Sequence, residues 1–83
     1  MAELDASIKE KIINDVKQHL GLDKDPISFE YVEAMDMVTL KFSDADSTTS
    51  EETEINGHLA VVEKAGDEIV EVAYMGVSNL LSS

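Results

Sequence analysis

The chain predicts an α+β domain, with an N-terminal amphipathic helix packed on an antiparallel β-meander of three to five strands and a short C-terminal turn or helix. Three observations carry this expectation. Apolar residues recur at helical spacing between Ser7 and Leu20. They alternate with polar ones from Ile27 to Phe42 and again from Leu59 to Met75. Turn-forming residues punctuate the alternating region at 33–36, 56–57 and 65–67. A chain of 83 residues makes one domain (1–83), read here as a helix and linker (1–25), a meander (26–78) and a tail (79–83).

The helix comes first. At 100° per residue, Ile8, Ile12, Ile13, Val16 and Leu20 fall on one side, while Glu10, Lys11, Asn14 and Gln18 fall on the other. Ser7 and Glu10 have the spacing of a capping box, with Asp5 as a competing N-cap. Gly21 can take the left-handed C′ conformation, folding Leu22 back toward Val16. Burial gains each stripe residue ~1.5–3 kcal/mol, more than the propensity of a short helix supplies, so the helix must dock on something.

Leu22 to Pro26 form the linker, because proline biases Asp25 toward extended angles. Ile27, Phe29 and Tyr31 then alternate with Ser28, Glu30 and Val32. Glu33 to Asp36 turn the chain into a second strand with Val38, Leu40 and Phe42 on one side and Met37, Thr39 and Lys41 on the other, making an antiparallel hairpin. Asn56-Gly57 is a strong turn signal, since both residues tolerate positive φ. Beyond it Leu59 and Val61 oppose Ala60 and Val62. After the turn at Ala65-Gly66-Asp67, Val70, Val72 and Tyr74 oppose Ile69, Glu71, Ala73 and Met75. Whether Thr53 to Ile55 add another strand is left open by the pattern.

Both sides of the later strands carry apolar residues, and one helix covers only one side of a sheet. Val77, Leu80 and Leu81, at i, i+3 and i+4, can form a C-terminal turn that covers part of the remainder, and a second copy of the chain can cover the rest. The expected partner is therefore a homodimer mate.

Composition sets limits on function. Six lysines, no arginine and eighteen acidic residues give a formal net charge of -12. Such a field repels nucleic-acid phosphates and anionic lipid and attracts a basic protein partner, although acidity also serves solubility or a salty cytoplasm. The lack of cysteine excludes disulfides, thiolate nucleophiles and sulfur-based zinc sites. The opening residues lack the pattern of a secretory signal, and no apolar run approaches the ~18 residues that span a bilayer, so a cytoplasmic location is expected.

The stretch SDADSTTSEETE, Ser43 to Glu54, holds Asp44, Asp46, Glu51, Glu52 and Glu54 and no base. Asp44-x-Asp46 begins like a calcium loop, but the positions that need Gly and a bidentate Glu hold Thr49 and Ile55. The stretch reads first as a solvated connection between hairpins and second as a docking surface for basic residues.

Other side chains give no site. His19 and His58 have no motif spacing; His19 suits a packing role or the helix dipole, and His58 opens a strand. Glu71 is the most unusual carboxylate, sharing its side with Ile69, Ala73 and Met75. Met35, Met37 and Met75 serve either core filling or an adaptable contact surface. No catalytic, cofactor or metal residue is assigned.

The segments ISFEYVEAMDMVTLKFSD and VVEKAGDEIVEVAYMGVS resemble a small prokaryotic family known as domain of unknown function 2283, over residues 27–78. Tyr31, Ala34, Asp36, Val38, Leu40, Phe42, Val62, Gly66, Asp67, Ile69, Val70, Val72 and Ser78 carry the likeness. The sequence departs from the pattern at Val32, where the family often has Asp, and at Glu71, where it often has Gly. The resemblance implies an antiparallel meander in a small α+β architecture and brings no catalytic residue. It also implies an antitoxin-like role, as companion of a small basic protein.

Two functions follow as expectations. The first is a noncatalytic protein-interaction module that offers acidic surface to a protein partner. The second is a small ligand-binding protein or enzyme with a pocket at the helix–sheet or dimer junction.

Overall fold

The computed structural model describes residues 5–81, and the side chain of Leu81 lies outside the description together with residues 1–4, 82 and 83. An α-helix, α1 (Ala6–Leu20), is followed by β1 (Ser28–Val32), a single 3-10 turn at Glu33–Met35, β2 (Met37–Lys41), β3 (Thr49–Ile55), β4 (His58–Ala65), β5 (Glu68–Met75) and a short helix α2 (Ser78–Leu81). The five strands form one antiparallel sheet in the order β1-β2-β5-β4-β3. The expected α+β class is the observed one.

The two competing N-caps resolve in favour of Asp5. Its Oδ1 accepts the backbone N–H of Ser7 at 3.2 Å, which places Ser7 inside the first turn and leaves no capping box. At the other end Gly21 is left-handed (φ 67°), and the N–H of Leu22 donates back to the Lys17 carbonyl at 2.8 Å. That bond closes the helix as a Gly-terminated α-helix should. Ile12 and Val16 are fully buried against the sheet, and Ile8, Ile13, Leu20 and Leu22 pack around them. His19, for which a packing role was one expectation, is exposed. It stands in the last turn, where the helix dipole favours a cation.

The sheet face beneath α1 carries the core. Val38, Leu40 and Phe42 from β2 and the residue after it, Ile55 from β3, Ala60 and Val62 from β4, and Val72 and Tyr74 from β5 are all buried. Period two puts these residues on one side, and α1 closes over them. Val77 is buried in the same cluster and Leu80 packs on it. The C-terminal turn therefore thickens the helix side and does not cover the opposite face, contrary to expectation. The tail expected at 79–83 begins in fact as part of α2.

Two further expectations are corrected. The acidic stretch is not a solvated connection throughout, because Thr49 to Ile55 form a seven-residue strand, and only residues 42–48 connect. The cause lies at Asn56-Gly57, where both residues have positive φ (50° and 84°) and make a two-residue hairpin turn. That turn pairs Ile55 with His58 and extends the register back to Thr49 opposite Lys64. Ile69, expected opposite Val70, Val72 and Tyr74, packs instead against the core. A β-bulge between Glu63 and Lys64 pairs Glu63 with Glu71 and then Lys64 with Ile69, shifting the alternation at that end of β5.

Candidate interaction surface

With α1 and α2 on one side, the other face of the sheet is covered by nothing among the described residues. Its composition follows from register. Glu30, Thr39, Ala73, Val61 and Glu52 lie in one row across the five strands, since each is paired with the next. The adjacent row runs Val32, Met37, Met75, then Leu59, one residue before Ala60, and Glu54. The third runs Ser28, Lys41, Glu71, Glu63 and Ser50. The centre of the face is thus apolar in two rows, with Glu30 at the β1 edge, Glu52 and Glu54 at the β3 edge, and Glu71 and Glu63 beside Lys41 in the third row. Leu59 is 51% exposed there, whereas Val32, Met37, Val61, Ala73 and Met75 are half-buried by one another. Met35, by contrast, is exposed in the turn before β2.

The carboxylates on this face make no ion pair among the described residues, although Lys41 stands beside Glu71 in the third row. All six lysines are engaged. Lys11 pairs with Asp15, Lys17 with Asp25, Lys24 with Glu68, Lys41 with Asp44 and Lys64 with Glu51, while Lys9 sits 5.2 Å over the ring of Phe29. Glu30, Glu52, Glu54, Glu63 and Glu71 have no ion pair among the described residues. Glu63 Oε1 accepts from the hydroxyl of Ser47 at 3.1 Å. Glu71 is half-buried and directly opposite Glu63. Burial pushes its carboxyl above the ordinary range, Glu63 adds to this by charge and by a hydrogen bond, and Lys41 opposes it.

The acidic stretch divides in two. Asp44 and Asp46 lie in the exposed connection, and Glu51, Glu52 and Glu54 lie on edge strand β3. Thr49 and Ile55, the sixth and twelfth positions of the calcium pattern, open and close a regular strand, and Ile55 is fully buried. Such a strand cannot wrap a cation as a twelve-residue calcium loop does. Among the described residues no three His, Asp or Glu side chains gather around a common point, and no helix is long and apolar enough to cross a membrane.

The histidines stand apart from this face. His58 stacks on Tyr74 with ring centroids 4.8 Å apart and planes 26° from parallel, and its Nδ1 is 3.0 Å from the Met75 carbonyl oxygen. A carbonyl accepts only, so Nδ1 carries the proton. Gly76 stands beside it with φ 73°, and a Cβ there would come within 3.3 Å of that nitrogen. Tyr74 is fully buried with its hydroxyl unpaired. Burial, with Asp15 nearby, pushes its pKa up to about 12.

The helix–sheet junction does hold a groove. It has a volume of about 420 Å³, open to solvent, between Lys9, Glu10, Ile13 and Asn14 of α1 and the chain from Asp25 to Phe29. Neither His19 nor His58 lines it.

Sequence reasoning singled out Glu71 but missed Glu63, Glu30 and the ordering of the apolar rows. The Asn56-Gly57 turn was a signal for the register of β3 on β4 alone; the neighbours of Glu30 and Glu63 depend on the β1–β2 and β4–β5 registers. No protein-family model, curated protein or solved structure matches this chain.

Proposed function

We propose that this protein is a noncatalytic interaction module that docks a basic protein on the uncovered face of its sheet. The observation that carries the reading is the pair of apolar rows bounded by Glu30, Glu52, Glu54, Glu63 and Glu71, none of which makes an ion pair among the described residues. Exposed apolar surface of this continuity marks an interaction site, and a carboxylate rim selects a cationic partner and speeds its approach. The formal charge of -12 acts in the same sense at long range. The resemblance to domain of unknown function 2283 supports an antitoxin-like form of this role, with a small basic protein as the companion.

A second copy of the chain is the competing occupant, because two such faces would bury each other's apolar rows. Charge argues against it, because face-to-face packing would set one carboxylate rim against another.

The test is to capture partners from native cells with the parent protein and with a Val61→Ser, Glu52→Gln, Glu54→Gln variant, across a salt series. The captured protein is then titrated into isotope-labelled parent. The expected partner is basic, is lost by the variant and at high salt, and moves the amide signals of Met37, Val61 and Met75. Recovery independent of salt and of the variant, or shifts confined to other surfaces, refutes the reading.

A further inference from the structure

We propose that the groove between α1 and β1 takes an extended, lysine-bearing peptide as a sixth strand added to β1. This surface adjoins the uncovered face at Ser28 and Glu30, and neither reading needs the other.

Main-chain geometry supplies the first argument. The Gly76 N–H donates to the Asp36 carbonyl at 2.9 Å, and the Phe42 N–H donates to the Val70 carbonyl at 2.7 Å. In an antiparallel ladder hydrogen-bonded pairs alternate with unbonded ones. The even-numbered residues of β2 therefore bond to β5, and Met37, Thr39 and Lys41 bond to their partners Val32, Glu30 and Ser28 on β1. It follows that the N–H and C=O groups of Phe29 and Tyr31 aim away from the sheet. No other main chain among the described residues bonds to them. An edge of this kind is a template for one more strand.

The groove gives that strand a seat. Its volume of about 420 Å³ lies within the ~300–1,000 Å³ typical of ligand sites. Ile13, Ile27 and Phe29 give it an apolar lining, and Ile27 is 58% exposed. At the far edge, β3, Glu51, Glu52 and Glu54 put carboxylates on both faces of the strand.

Charge selects the peptide. In an added strand, alternate side chains would face α1 and the others would run beside Glu30. Lys9 and Glu10 both line the helix side of the groove, and Glu30 lacks an ion pair among the described residues. An occupant with apolar residues on the helix side meets the apolar lining, and lysines between them run beside Glu30.

The probe is a blocked peptide of alternating valine and lysine about eight residues long, titrated into the isotope-labelled full chain. The expected result is saturable movement of the Phe29, Tyr31 and Ile13 amides, with slowed hydrogen exchange at Phe29 and Tyr31. Two N-methylated versions, one methylated at the valines and one at the lysines, keep the charge and the side chains. One set should lose affinity by about tenfold or more and the other should retain it, because only alternate main-chain groups face β1. Asn14→Trp, an exposed helix position, fills the groove and should weaken binding about tenfold with the circular dichroism unchanged. Equal behaviour of the two methylated peptides, unmoved Phe29 and Tyr31 amides, or undiminished binding to the Asn14→Trp variant overturns the proposal. Shifts confined to Met37, Val61 and Met75 also overturn it, while supporting docking on the uncovered face.

Discussion

The carboxylate of Asp36 accepts two hydrogen bonds from Ser78, one from the backbone N–H and one from the hydroxyl, each at 2.7 Å, although the residues are 42 positions apart. Its backbone carbonyl also accepts from Gly76 at 2.9 Å and from Val77 at 3.3 Å. Asp36 has φ 52°, which a short polar side chain tolerates. One residue thus turns the β1–β2 hairpin and fastens the start of α2, so that Val77 enters the core. Both residues are among those that carry the family resemblance.

Asp36→Asn keeps the left-handed turn but weakens the acceptor, and Ser78→Ala removes one of the two donors. Each should lower stability by about 1 kcal/mol, because the bonds are charge-assisted but close to solvent. The double variant should lose less than the sum. Urea unfolding of the four proteins measures this coupling.

The Glu63–Glu71 pairing makes stability depend on pH. The folded state raises the pKa of Glu71, through burial first and Glu63 second, so folding favours its protonated form. That contribution is fully present below the unfolded pKa and is lost as pH rises through the folded one. Glu71→Gln should therefore unfold at higher urea than the parent at pH 7, by a few tenths of a kcal/mol after allowance for solvent screening. The advantage should shrink toward pH 4. A constant difference across that range would rule out the carboxyl pair as its source.

These relationships were unevenly legible in the sequence. The helix was readable because five apolar residues keep one period and Gly21 ends it. The β1–β2 and β4–β5 hairpins were readable for the same kind of reason. The strand β3 was not, because Ser, Thr and Glu have little burial to advertise, and its pairing is imposed by β4 through the Asn56-Gly57 turn. The bulge at Glu63 and Lys64 has no signature in composition, so Ile69 was placed on the wrong side. The candidate surface inherits this limit. Its residues were all visible, but their order across the sheet depends on register. The Asp36–Ser78 contact joins the β1–β2 turn to the first residue of α2, which local pattern cannot bring together.

Tyr74 offers a gain in stability. Its ring fills the core and stacks on His58, yet its hydroxyl is buried with no hydrogen-bond partner. Tyr74→Phe keeps the ring and removes an unsatisfied group, so it should be neutral or stabilising by up to about 1 kcal/mol. Ile12→Ala, which opens a cavity between α1 and the sheet, should cost about 2–5 kcal/mol. Thermal unfolding of the two variants side by side separates polar dissatisfaction from packing. A clear loss in Tyr74→Phe would mean that the hydroxyl has a partner in solution.

The carboxylates of β3 also guard its open edge against pairing with a second copy of the chain. The ladder that pairs Ile55, Thr53, Glu51 and Thr49 with β4 leaves the main-chain groups of Ser50, Glu52 and Glu54 directed outward. Two copies meeting along this edge would bring Glu52 and Glu54 of one against the same residues of the other. Like charges at that spacing oppose edge-to-edge pairing. Glu52→Val, Glu54→Val removes the repulsion and raises strand propensity by up to about 1 kcal/mol. The variant should be at least as stable as the parent to denaturant, yet should self-associate as concentration rises. Static light scattering at low and high salt checks both parts: salt should promote association of the parent by screening its carboxylates and should change the variant much less. If the variant associates no more than the parent, some other element already protects this edge.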